Sequence, residues 1–150
     1  MKTVIQRVEH ASVEILNSEK RSIEKGMLIL LGVGRQDGPE DVNWMVRKIA
    51  SMRLFEDAEG RVNLTLQNAK ADVLVVSQFT LLASTRKGSR PSFDPAAPPE
   101  MAISLYESFT EKLSEILGQQ IATGIFGAKM KVSLVNDGPF TLVLDSKLRE

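Results

Sequence analysis

Apolar and polar positions alternate from the start of the chain. Thr3 to Arg7 and Ser12 to Leu16 predict two strands around a short turn. Met27 to Val33 is apolar almost throughout, the pattern of a strand covered on both faces. The period then lengthens. Val42, Met45, Val46, Ile49 and Met52 recur at three- and four-residue steps, predicting an amphipathic helix over Pro39 to Phe55. Pro39 suits its first turn, and Glu40 and Asp41 complement its N-terminal dipole. Asp57 to Gly60 reads as a turn, Arg61 to Leu66 as a short strand, and Ala71 to Leu82 as a segment whose Val73-Leu74-Val75-Val76 run is a buried strand. A second helix is predicted over Glu100 to Leu117, with Met101, Leu105, Phe109, Leu113, Ile116 and Leu117 on its apolar face and Gly118 closing it. Ile121 to Phe126, Met130 to Val135 and Phe140 to Leu144 finish the chain as strands.

Roughly eight strands with two long helices predict an α+β fold. A largely antiparallel sheet or barrel-like core would be covered by the helices. The length fits one domain over residues 1–150. Trp44, the single tryptophan, is expected as a core or interface anchor.

Composition narrows the chemistry. The chain has no cysteine, which removes disulfides, thiolate nucleophiles and cysteine-based zinc sites. One histidine, His10, lies on the first predicted strand, and no set of residues has metal-ligand spacing. A Ser-His-Asp triad would have to use it, and no spacing implies that geometry. Neither a metal nor another cofactor is expected. With 19 basic and 19 acidic residues the formal charge is zero, so tight, indiscriminate binding to polyanions, DNA included, is not expected. No apolar run approaches a membrane span, and the N-terminus lacks a signal-peptide layout, so a cytoplasmic location is expected. Gly32-x-Gly34 is a weak dinucleotide motif, since no third glycine follows.

Two short segments concentrate polar groups where apolar strands meet turns. In Ser77-Gln78-Phe79-Thr80-Leu81, Gln78 offers an amide and Thr80 a hydroxyl, able to orient an ester carbonyl or a ribose. On a strand, Ser77 and Phe79 would face one way, Gln78 and Thr80 the other. A nucleophilic Thr80 needs a base, and none is visible nearby. The alternative is a packing role, with these groups bonded to neighbouring loops. In Asn136-Asp137-Gly138-Pro139-Phe140-Thr141, Asp137-Gly138 is a hairpin-turn signal, while Pro139 removes a ladder donor. A cis Gly138–Pro139 bond would make the turn tight. Between the segments, Ala83 to Pro99 is a long loop carrying Arg86, Lys87 and Arg90, followed by Phe93. Phosphate contact with base stacking, or a solvated loop pinned by Phe93, fits it equally.

With these residues the chain resembles the D-aminoacyl-tRNA deacylase (D-tyrosyl-tRNA deacylase) family over its whole length. The matching features are Val4-Ile5-Gln6-Arg7-Val8 with Ala11-Ser12-Val13, Trp44 with Arg47-Lys48-Ile49, and Arg53-Leu54-Phe55. Ser77 to Leu81, Lys87-Gly88 with Arg90 to Phe93, and Asn136 to Thr141 follow in the same order. The resemblance implies a homodimer that hydrolyses the ester joining a D-amino acid, or glycine, to the 3′-terminal adenosine of tRNA. It implies that Gly138-Pro139 is cis, enters the partner's active site and rejects L-amino acids through its carbonyls. Arg7 would hold that turn. Ser77, Gln78, Phe79, Thr80 and Phe126 would wall the pocket. Thr80 would serve as nucleophile, or the substrate's 2′-hydroxyl would assist water, with main-chain N–H groups near Phe79 and Thr80 stabilising the oxyanion. Phe140 departs from the family pattern, which commonly has valine there. Two rivals remain: a tRNA-binding module without catalysis, and a small-ester hydrolase with Ser77 or Thr80 as nucleophile.

Overall fold

A computed structural model describes residues 1–149. In chain order its elements are β1 (Lys2–Ile15), β2 (Lys20–Ile23), β3 (Gly26–Gly32), α1 (Pro39–Ser51), β4 (Phe55–Glu56), β5 (Val62–Leu64), α2 (Leu66–Ala69), β6 (Asp72–Ser77), α3 (Pro99–Leu117), β7 (Ala122–Thr123) and β8 (Met130–Asp145). A four-residue 3₁₀ turn, Phe79–Leu82, follows β6.

The strand β1 organises the main sheet. On one side its first half pairs with β3 and its second half with β2, and on the other side it pairs with β8 along nearly its whole length. All three pairings are antiparallel. β6 and β7 then extend the sheet in parallel from β3. The sheet is therefore mixed, with antiparallel pairing predominant as expected and a parallel extension that the sequence pattern did not predict. The reason is topological: parallel neighbours require a crossover. The connection from β3 to β6 contains α1, and that from β6 to β7 contains α3. Arg21 Nη1 on β2 donates to Thr123 O on β7 at 2.7 Å, so the far edges approach and the sheet nearly closes.

Both faces are apolar. Met27, Ile29 and Leu31 of β3 join the larger core with Met45 and Ile49 of α1 and Phe109 and Leu113 of α3. Leu28 of β3 faces a smaller cluster with Val13, Leu74 and Val76. The continuous apolar run at 27–33 thus has its expected physical cause. Trp44 packs half-buried against the larger core.

Two expected turns are bulges. The segments around residues 3–7 and 12–16 form one strand, β1, in which Arg7 and Val8 are both buried and the alternation changes phase. Likewise residues 130–135 and 140–144 belong to one strand, β8. Both halves run antiparallel to the continuous β1, so the chain does not reverse at Asp137-Gly138. The register between the strands slips on either side of Val8, opposite Asn136, and this one irregular region accounts for both departures.

Other boundaries move for local reasons. The helix expected to reach Phe55 ends at Ser51, because Leu54 N donates to Leu64 O and Phe55 pairs with Leu64. The strand expected to Leu66 stops at Leu64. Thr65 then caps α2, its hydroxyl accepting from Asn68 N at 3.2 Å. The last short strand contracts to Ala122–Thr123. On α3, Ile116 is exposed, whereas Ala102 and Tyr106 join the buried face.

Far from either motif, Asp41 ties α1 to the end of β8. It accepts from Gly38 N at 2.9 Å, Ser146 Oγ at 2.6 Å and Lys147 Nζ at 2.8 Å. Burial pushes its carboxyl up, but the Lys147, Ser146 and Gly38 bonds outweigh that and hold it at about 2.

Candidate active site

β6 delivers Ser77 to the end of the sheet, where the chain leaves the ladder. Gln78 N still donates to Leu31 O at 2.8 Å, after which the 3₁₀ turn folds back over the end of β3. Gly32 permits that packing. A Cβ there would lie 2.8 Å from Gln78 O and 2.6 Å from a Leu82 methyl. This close approach, rather than a nucleotide, explains the glycine at position 32 of Gly-x-Gly. The turn also cancels strand alternation, so Ser77, Gln78 and Phe79 all border one cavity.

That cavity measures about 480 Å³, a size suited to a small ligand. Phe126 lines it, as do Val132 of β8 and Tyr106 of α3. Small residues such as Ala96, Ala97 and Ala102 leave the space open. Thr80 does not line it. Its hydroxyl accepts from the Gln78 amide and thereby fixes that side chain. The N–H groups of Phe79 and Thr80 begin the 3₁₀ turn and have no backbone acceptor among the described residues. Among the described residues Tyr106 is the only titratable group lining the cavity, and its hydroxyl donates to Val75 O at 3.0 Å. Burial pushes that hydroxyl up to about 12. His10 is exposed on β1 and does not line the cavity.

The long loop rises beside this opening. Ser84 and Ser92 exchange backbone hydrogen bonds at its base, 2.8 and 2.9 Å long. Phe93 meets Phe79 edge to face, ring centroids 5.0 Å apart. Arg86, Lys87 and Arg90 are exposed within the closed loop.

The second motif stands apart from the cavity. Gly138 and Pro139 are exposed, joined by a cis bond, and neither lines the cavity of its own chain. Six residues separate Gly138 from Val132, or about 20 Å along a strand. The turn is clamped from β1. Arg7 Nε donates to Asp137 O at 3.2 Å and lies 2.9 Å from its carboxylate, while Arg7 Nη1 donates to Leu54 O at 2.7 Å. The Asn136 amide donates to Arg7 O at 2.8 Å and Phe140 O at 3.1 Å. A Cβ on Gly138 would meet nothing closer than 3.6 Å, so the folded chain alone does not require glycine there.

Sequence reasoning overlooked Tyr106, Ala102, Ala96 and Ala97 as lining residues, and Asn136 and Asp137 as clamp groups. A signal existed for the first group. Small residues and a tyrosine interrupt an otherwise bulky apolar stripe before and within α3. Nothing local marked the clamp, which joins residues 129 and 130 positions apart.

The chain has close relatives of the same length. A D-aminoacyl-tRNA deacylase of Opitutus terrae is 55% identical over 150 residues, covering 100% of both chains. One of Bacteroides thetaiotaomicron is 51% identical with the same coverage. A solved structure described as "c-Myc DNA Unwinding Element Binding Protein" matches with a TM-score of 0.89 and 40% identity, over 97% of this chain and 98% of that one. Another, described as a "probable eukaryotic D-amino acid tRNA deacylase", matches with a TM-score of 0.81 over 95% and 97%. At 16% identity it speaks to the fold alone. The model of the D-Tyr-tRNA(Tyr) deacylase family matches residues 4–145, and the chain belongs to that family.

Proposed function

We propose that this protein is a hydrolase that removes D-amino acids from tRNA by cleaving the aminoacyl ester, and that it clears glycine mischarged on tRNA as well. Water adds to the ester carbonyl, the bond to the ribose oxygen breaks, and the free amino acid and tRNA leave. The observation that carries this reading is the character of the cavity wall. It offers the Gln78 amide and the Ser77 hydroxyl but, among the described residues, no acid or base that titrates near neutrality. A site of that kind orients and selects, and takes its proton chemistry from the substrate.

The terminal adenosine and the aminoacyl group occupy the cavity beside Ser77, Gln78, Phe79 and Phe126. The ribose 2′-hydroxyl assists attack by water. The N–H groups of Phe79 and Thr80 receive the developing oxyanion. Thr80 is placed here as the residue that holds Gln78 rather than as the nucleophile. Arg86, Lys87 and Arg90 stand where they can meet the phosphates of the acceptor end.

Selection needs a second copy. The Gly138-Pro139 tip is too far along β8 to enter its own cavity, and β8 pairs on one side only among the described residues. Its half-buried apolar residues lie on both faces, Phe140, Leu142 and Leu144 against the larger core and Met130, Val132 and Leu134 against the smaller, while Val135 and Val143 are exposed, so the unpaired edge leaves apolar surface for a symmetric partner to cover. A two-fold axis near Val135 would set residue 138 of one copy opposite Val132 of the other, at the cavity wall. The tip's carbonyls then meet the substituent at the chiral centre and exclude the L form. No helix among the described residues is long and apolar enough to cross a membrane, which accords with work on tRNA in the cytoplasm.

The test is a deacylation time course on matched D-Tyr-tRNA and L-Tyr-tRNA. Rapid loss of the D ester alone is expected. Equal spontaneous decay of both, with tRNA still bound, would favour a binding module. Preferential binding to a DNA duplex would instead support the activity named for the relative at 40% identity.

A further inference from the structure

Arg7 is 4% exposed, and its guanidinium is engaged around its edge. Nη1 reaches Leu54 O, Nε reaches Asp137, and Nη2 faces the Glu56 carboxylate at 4.0 Å. One planar face is covered by Phe140, whose ring centroid lies 4.2 Å from the guanidinium carbon. A guanidinium over a ring at that distance is held by the ring's quadrupole, more firmly where water is excluded. Phe140 also follows the exposed Gly138-Pro139 tip directly, and its carbonyl accepts from Asn136. One residue therefore supports both the clamp and the exit of the turn that is clamped.

We infer that Phe140 is a positioning residue for stereochemical selection: its ring keeps Arg7 in the plane that grips Asp137 and so fixes where the Gly138-Pro139 tip stands. The inference rests on the proposed role of that tip. Phe140 does not line the cavity and acts only through Arg7, Asp137 and Asn136. An aliphatic side chain of similar volume would fill the same space without the π face. Arg7 could then rotate about its terminal bonds, and the tip would gain latitude. Rejection of the L ester suffers first, because it depends on a close steric and polar fit, whereas the D ester needs only the cavity.

The full-length Phe140→Leu and Phe140→Tyr variants test this, with kcat and KM measured on D-Tyr-tRNA and L-Tyr-tRNA and Tm measured alongside. In Phe140→Leu the D-over-L ratio of kcat/KM is expected to fall roughly 2–30-fold, the range a lost cation–π contact allows. Its kcat on the D ester should change by less than about twofold. Phe140→Tyr should keep the wild-type ratio. An unchanged ratio in Phe140→Leu overturns the inference. So does an equal loss in both variants that follows Tm, the mark of a packing role. A wild-type protein with no D preference removes the proposed function and this inference together, so the two failures are distinguishable.

Discussion

The cavity wall at Ser77–Leu82 and the turn at Asn136–Phe140 are positioned by opposite means. The wall is the continuation of a central strand. It is seated on β3 through Gly32 and backed by apolar packing on both faces of the sheet. The turn is a bulge on an edge strand, held out toward solvent by polar bonds to Arg7 and Asn136. The wall borders a cavity that Gly138 and Pro139 of the same chain do not line. Under the proposed function, each region is half of a site that two copies complete.

Disturbing the wall should have the largest effect. Gly32→Ala drives a Cβ into Gln78 O, which is backbone and has little room to yield. Deacylation should fall ~100-fold in kcat/KM, the cost of misplacing a positioned group. Chemical denaturation should show a loss of ~1–3 kcal/mol, as overpacking produces. The corresponding change in the turn separates the regions. Gly138→Ala meets no close neighbour in its own chain, so stability should stay within ~0.5 kcal/mol. D-ester hydrolysis should nevertheless fall at least ~10-fold, because in the proposed dimer the added methyl would enter the partner's cavity.

A third change checks that stability and activity are not confounded. Asp41→Asn lies away from both regions. A carboxyl held at about 2 against an ordinary 3.8 contributes ~2 kcal/mol near neutral pH. Its folded value is depressed, so that contribution is present above pH 5 and lost as pH falls from about 4 through 2. The variant should unfold more readily at pH 7, lose less than the wild type on acidification, and keep its kcat. Reversing charge at Arg86, Lys87 and Arg90 should raise KM for aminoacyl-tRNA roughly 5-fold at low salt, with kcat unchanged and the difference shrinking as salt rises. Thr80→Ala separates a positioning role from nucleophilic chemistry. Losing the hydroxyl that fixes Gln78 should cost less than ~10-fold in kcat, whereas loss of a nucleophile would abolish turnover.

The two regions also differed in how legible they were in the sequence. The wall was readable because its determinants are local: a β-branched run, then polar residues at its end. Both long helices were equally plain from their periodicity. The parallel pairing was not read, although those helices are the crossovers that cause it. The turn was readable as an unusual Gly-Pro, but not as a bulge, because a bulge is defined by the partner strand. Its clamp joins Arg7 to Asp137 across almost the whole chain, and no local pattern encodes that. Gly32 was visible but unexplained, since its reason lies in Gln78 and Leu82, residues brought to it only by folding.

Subunit mixing tests the composite site most directly. Gly32→Ala and Gly138→Ala homodimers, each deficient alone, are mixed under conditions of subunit exchange and assayed on D-Tyr-tRNA and L-Tyr-tRNA. Half of the dimers formed are hybrids, and each hybrid has one site with an intact wall from one copy and an intact tip from the other. The account predicts recovery of D-specific hydrolysis to roughly a quarter of the wild-type rate. Verified exchange without recovery would show that wall and tip act within one chain, and would contradict the account.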